Sequence, residues 1–170
     1  MKALVIGATG AVGKDLVEQL LTGDVLFSCL GTTIKAAGSQ EAQWKVDYTY
    51  QFEAAKAARN NGVRKLVLVS SIGADAKSRI FYSRMKGQLD EDVAKLGFPG
   101  CFILRPPSLI RKGSDRFGEK AGVAILKALN AIGLMRSWKP MPTEEVAQAM
   151  IRLAKADLNG TRTYDLKSKL

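Results

Sequence analysis

The stretch Gln19–Thr33, QLLTGDVLFSCLGTT, decides how this chain is read. A helical spacing carried by Val12, Leu16, Gln19 and Leu20 runs out near Thr22, and within about three residues the apolar run Val25–Leu30 starts a buried strand. Before the helix, ALVIG (Ala3–Gly7) is a short apolar run ending in glycine. Strand, helix and strand within about 30 residues make a βαβ unit, and a βαβ unit implies a parallel sheet. The open question is whether Val25–Leu30 is the next strand of the fold or a later one.

Beyond it, a long helical pattern runs from about Glu41 to Asn61 and is stopped by Asn60-Asn61-Gly62. KLVLVSS (Lys65–Ser71) is too apolar for anything but a strand covered on both faces. YSRMKGQLDEDVAKLG predicts a helix ending at Gly97, and CFILRPP a strand cut off by Pro106 and Pro107. GVAILKALNAIG (122–133) and TEEVAQAMIRLAKAD (143–157) predict two more helices, the second with Thr143 as N-cap and acids in its first turn. RTYDLK (162–167) predicts a short last strand. The expected architecture is α/β: a Rossmann-like doubly wound parallel sheet with helices on both faces. It forms one domain over residues 1–170, with a small substrate-side region at about 108–142.

Composition suits such a domain, since 170 residues with 46% hydrophobic and 25% charged side chains can bury a core. No apolar run approaches the roughly 18 residues of a spanning helix, and MKALVIGATG lacks the pattern of a secretory signal. The expected address is therefore the cytoplasm, without a membrane partner. The chain has no histidine, which removes the Ser-His and Cys-His hydrolase arrangements, and Cys29 and Cys101, in strand-like segments without CxxC spacing, read as buried structural thiols. The net charge of +10 points to an anionic partner or to a solvated basic surface. Its basic residues are scattered along helices rather than interleaved with aromatics, so no nucleic-acid motif stands behind it.

GATGAVG places Gly7, Gly10 and Gly13 between the first strand and its helix. Dinucleotide binding asks for glycine at such a turn: one for the sharp bend, one where backbone approaches a pyrophosphate, and one where helix packs on strand. The helix N-terminus then offers free N–H groups to the phosphates. The acid expected about 20 residues further on, for a ribose hydroxyl, is missing from CLGTTIK.

Tyr82 and Lys86, four apart in a helical segment, share a face, and a strand ending in Ser70-Ser71 precedes them. A cation close to a phenol favours its ionised form, which lets the pair give or take a proton near neutrality. The chemistry such a trio serves is hydride transfer at a carbonyl or alcohol carbon.

GATGAVG, DVLFSCLGTT, KVDYTYQFEAAKAA, LVLVSSIGAD, FYSRMKG, LRPPSLI and KPMPTEEVAQAMI, in that order, resemble the short-chain dehydrogenase/reductase superfamily. The similarity is to its atypical branch, that of the Tat-interacting-protein oxidoreductases and bacterial NAD-dependent epimerase/dehydratase-like relatives. The resemblance implies that VLFSCLGTT is the fourth strand of the family. The second and third strands, about 40 residues with their connections, would then be missing at about Thr22–Asp24, leaving the first strand as a sheet edge. It further implies NADP or NAD as cofactor, NADP slightly favoured, held by Gly7, Thr9, Gly10, Ala11, Val12 and Gly13, by Leu30, Gly31, Thr32 and Thr33, and by Ser70, Tyr82, Lys86, Pro106, Pro107 and Ser108. Tyr82 would be the acid or base, and Lys86 its cation and the holder of the nicotinamide ribose. Ser71 would hydrogen-bond the substrate oxygen, with Ser70 as the alternative because strand alternation turns one of the two away. Arg105 reads equally as structural or functional, and Arg111, Lys112, Arg116 and Lys120 in the substrate-side region read equally as contacts for an anionic substrate or as solvated side chains. The expected function is an NAD(P)-dependent oxidoreductase with an unidentified small-molecule substrate; the alternative is a non-catalytic NADPH-binding regulator or redox sensor acting through a protein partner.

Overall fold

The computed structural model describes residues 3–7, 24–110 and 140–166. The helix expected after the glycine loop, the proposed break at Thr22–Asp24 up to residue 23, and the helix at 122–133 lie outside the described residues, as do Arg111, Lys112, Arg116 and Lys120. Five strands, β1 (Ala3–Ile6), β2 (Val25–Ser28), β3 (Lys65–Val69), β4 (Gly100–Arg105) and β7 (Gly160–Asp165), form one sheet in that order, every neighbouring pair parallel. A two-stranded parallel ribbon, β5 (Leu109–Ile110) with β6 (Met141–Pro142), stands apart.

β1 lies at the sheet edge and pairs directly with β2, Ala3 opposite Val25. A fourth strand of a Rossmann sheet has the same neighbour. The predicted RTYDLK strand is real but begins earlier, at Gly160, and closes the opposite edge.

The helices follow from alternation in the strands. Phe27, Val67 and Phe102 stand in register and, with Leu104, pack on Val146, Ala147, Met150 and Ala154 of α5 (Thr143–Lys155). Leu26, Leu66 and Cys101 stand in register on the other face. With Leu68 and Ile103 they meet Ala55 and Ala58 of α3 (Tyr50–Asn60) and Leu89 and Val93 of α4 (Phe81–Ala94). Helices thus cover both faces of a Rossmann-like sheet. Thr143 is the first residue of α5, following Pro142 at the N-cap, rather than the cap itself.

The long helix predicted from Glu41 is present from Gln40 to Asn60, in three parts. After the short α1 (Ile34–Ala37), α2 (Gln40–Trp44) passes into a π-helix (Lys45–Thr49) and then into α3. A π turn inside a helix often marks a functional position.

Candidate active site

Because the five strands are parallel, the segments after β1, β2, β3 and β4 emerge at one edge of the sheet: Gly7, Cys29–Thr33, Ser70–Ser71 and Pro106–Ser108. Ligands of open α/β sheets bind at this edge. The strand-end residues predicted from the sequence therefore lie at one edge, whereas Thr9, Gly10, Ala11, Val12 and Gly13 lie outside the described residues.

Gly7 has φ +83° and brings the end of β1 against β2, where the Cys29 N–H donates to the Ile6 carbonyl at 2.8 Å. A Cβ on Gly7 would come within 2.5 Å of the Cys29 backbone. Gly7 is required by strand packing as well as by turn conformation. Gly87 performs the corresponding service in α4, where a Cβ would meet the backbone of Asp75 and Ala76. The loop that follows Ser71 thus lies directly on the catalytic-helix candidate, tied by the Asp75 N–H to the Ser83 carbonyl at 3.0 Å.

Tyr82, Lys86 and Asp90 follow one another at four-residue spacing along α4. Tyr82 is 39% exposed at the start of the helix, Lys86 is 2% exposed, and Asp90 is buried. Ser70 continues the side of β3 that faces α4, and its hydroxyl faces the Asp90 carboxylate. Neither Ser70 Oγ nor Asp90 Oδ1 completes a hydrogen bond among the described residues. Asp90 Oδ2 accepts from Arg105 Nε at 2.9 Å, so Arg105 is a structural partner of α4. Burial raises the Asp90 carboxyl above the ordinary range, against the pull of Ser70, Arg105 and Lys86. Ser71 is half-buried and its hydroxyl donates to the Ile72 carbonyl at 3.3 Å.

Asp47 is the residue that the sequence reading missed. It lies in the π-helix, is 1% exposed, and its Oδ1 stands 3.4 Å from Lys86 Nζ. Its Oδ2 accepts the Thr32 N–H at 2.9 Å, and the Thr32 carbonyl accepts from Gln43 Nε2 at 3.0 Å. Gln51 donates to the Asp47 carbonyl at 2.7 Å and accepts from Ser28 Oγ at 2.7 Å. Burial raises the Asp47 carboxyl, with Lys86 and the Thr32 N–H opposing. A signal was available in the sequence: Gln43, Asp47 and Gln51, spaced by four, continue into Ala55 on the buried side of the helix, so polar residues occupy core positions.

The remaining predicted groups surround this network. Thr33 caps α1 through its hydroxyl, accepting the Ala36 N–H at 3.2 Å; Gly31 is exposed beside Asp47, and Leu30 is half-buried. Pro106 and Pro107 are buried, and the exposed Ser108 accepts the Met141 N–H at 2.9 Å through its carbonyl. Cys29 and Cys101 are free thiols, both pushed up to about 12, chiefly by burial, which makes them poor nucleophiles.

The chain is 37% identical over 159 residues to Protein FMP52, mitochondrial, of Meyerozyma guilliermondii, covering 92% of this chain and 68% of that protein. It belongs to the FMP52 family. The Candida albicans FMP52 protein is 38% identical over 155 residues, covering 90% of this chain and 66% of that one. This FMP52-family chain thus spans about two thirds of the length of these relatives. No family model matches it. Among solved structures, RMD from Pseudomonas aeruginosa complexed with NADPH superposes with a TM-score of 0.72 at 16% identity, covering 99% of this chain and 78% of that one. A dTDP-4-dehydrorhamnose reductase from Clostridium acetobutylicum gives 0.69 at 18% identity, over 99% and 75% of the two chains. At such identities the likeness establishes the Rossmann-like fold.

The cytoplasmic address is corrected by the same comparison, because the FMP52 relatives are named as mitochondrial. The expectation rested on the lack of a secretory signal and of a spanning helix, neither of which bears on mitochondrial residence.

Proposed function

We propose that this FMP52-family chain is a mitochondrial NAD(P)-dependent oxidoreductase of the short-chain dehydrogenase type, related in chemistry to the Tat-interacting-protein oxidoreductases, acting on a carbonyl or alcohol of a small molecule. One observation carries the reading: at the ligand-binding edge of a parallel sheet, a solvent-open Tyr82 stands one helical turn from a buried Lys86. Support for the coarse class comes from solved reductases of the same fold, one of them with NADPH.

The described residues suit a dinucleotide. A buried ammonium (Lys86), a solvent-open phenol (Tyr82), and two buried oxygens that complete no hydrogen bond among the described residues, Asp47 Oδ1 beside Lys86 and Ser70 Oγ facing Asp90, form a donor and acceptor set suited to ribose hydroxyls. Lys86, Leu30–Thr33 and Pro106–Ser108 would hold the cofactor together with the glycine loop. The nicotinamide, when bound, supplies or takes the hydride. Tyr82 gives the proton to the carbonyl oxygen during reduction, or takes it from the alcohol during oxidation. Lys86 stabilises the resulting phenolate. Ser71, at the strand end and less buried than Ser70, positions the substrate oxygen, while Ser70 faces Asp90.

The test is NADPH and NADH consumption with a panel of aldehydes and ketones. Tyr82→Phe should lower the rate about 10² to 10⁴-fold with little change in cofactor affinity. Lys86→Ala should lower both. Tight NADPH binding with no turnover of any carbonyl, in parent protein and variant alike, would replace the enzyme by a cofactor-dependent regulator.

A further inference from the structure

We propose that Asp47 is a positioning residue that couples the cofactor-side loop after β2 to the catalytic lysine. One buried carboxylate holds both ends: Oδ2 accepts the Thr32 N–H at 2.9 Å, and Oδ1 lies 3.4 Å from the Lys86 ammonium. The inference rests on the oxidoreductase reading for the meaning of its two ends, and on geometry alone for the link.

Burying two charges is costly, and the cost is recovered only with good geometry and further hydrogen bonds. Here the pair sits 1% and 3% exposed, yet Oδ1 completes no hydrogen bond to a described residue. The arrangement suits a lysine held in place while its remaining donors stay available for a ribose and a phenol. Asp47 is itself held firmly. Its carbonyl is bonded by Gln51, and Gln43 ties the Thr32 carbonyl to the same helix. Aromatic contacts press the helix onto α4: the Trp44 ring lies 6.2 Å from that of Phe81, the residue before Tyr82, and Tyr48 Oη donates to Asp92 at 2.8 Å. The π turn widens the helix where Asp47 projects, so that one side chain serves both the loop and α4. Occupation of the Leu30–Thr33 loop would thereby bear on Lys86 through one rigid group, and the reverse.

The experiment is a double-mutant cycle of Asp47→Asn and Lys86→Met in the full chain, read first by urea denaturation without cofactor, and then by calorimetric NADPH titration with amide exchange at Thr32. Each single variant strands a buried partner. The double variant should recover much of the lost denaturation midpoint, and strictly additive losses would overturn the link. Asp47→Asn should weaken NADPH binding about tenfold and speed exchange of the Thr32 amide, but should cost no further affinity once Lys86 is methionine. Parental affinity in folded Asp47→Asn, or an undiminished loss in the Lys86→Met background, would overturn the coupling. A parent that binds neither NADPH nor NADH would refute the cofactor reading instead, and the cofactor-free cycle would then decide the Asp47–Lys86 link by itself.

Discussion

The two faces of the sheet are built from the same strands and differ in what they bury. Toward α5 the contact is apolar to the strand ends: Phe27, Val67, Phe102 and Leu104 against Val146 and Met150, with half-buried Val69 and Cys29 continuing it. Toward α3 and α4 the face begins with Leu26, Leu66 and Leu68, and turns polar at Ser28 and Ser70, which meet Gln51 and Asp90, with Asp47 and Lys86 beside them. Apolar burial stabilises at about 25 cal/mol per Å², whereas buried polar groups need partners merely to avoid a cost. The first face is organised for stability. The second gives up stability at one end, where Tyr82 opens to solvent.

The largest expected effect lies on the apolar face. Phe102→Ala should cost about 3–5 kcal/mol in urea denaturation while leaving the NADPH affinity of the folded molecules unchanged. A selective loss of NADPH binding would break the division between the faces. Next is Gly87→Ala, where the added carbon meets backbone rather than a side chain that can move away. We expect a loss of about 3 kcal/mol, joined here by weaker turnover, because the Ser71–Ile80 loop must shift; wild-type stability would refute the close approach. Ser28→Ala leaves the buried Gln51 Oε1 without its donor, and should cost about 1–3 kcal/mol, measurable as a lowered denaturation midpoint.

The smallest effect is a pH dependence. Burial raises the folded-state carboxyls of Asp90 and Asp47 above their ordinary 3.8, so the folded protein holds those protons more tightly than the unfolded chain. Their contribution favours folding at low pH and is lost as pH rises through the raised values. Asp92 works in the opposite sense. Although slightly buried, it is held low by hydrogen bonds from Gln88, Lys95 and Tyr48, and its stabilisation disappears as pH falls. Asp90→Asn should remove part of the decline in stability as pH rises above the ordinary carboxylate value of 3.8. Denaturation curves across that rise check it, and an unchanged slope would argue against a buried, raised Asp90.

The amino-acid sequence by itself determined the parallel sheet, its four main strands and the pairing of Tyr82 with Lys86 on one helix. These are local matters: apolar runs, helical periods, and glycine or proline where the chain must turn. The glycine requirement at Gly7 was legible too, although its close approach to the Cys29 backbone was not. Tertiary structure decided what meets across sequence distance. Gly87 stands in mid-helix with no local signal, and becomes necessary because the loop at Asp75 and Ala76 touches it. Arg105 was undecided until Asp90 appeared opposite. Asp47 was not singled out from the sequence: the four-residue spacing of Gln43, Asp47 and Gln51 marks a polar stripe on the buried side of the helix, but the π turn and the partner 39 positions away, Lys86, are invisible to periodicity. Which partner it meets there is a property of the packed molecule, set by helix-on-helix contact rather than by the spacing that places it on the buried side.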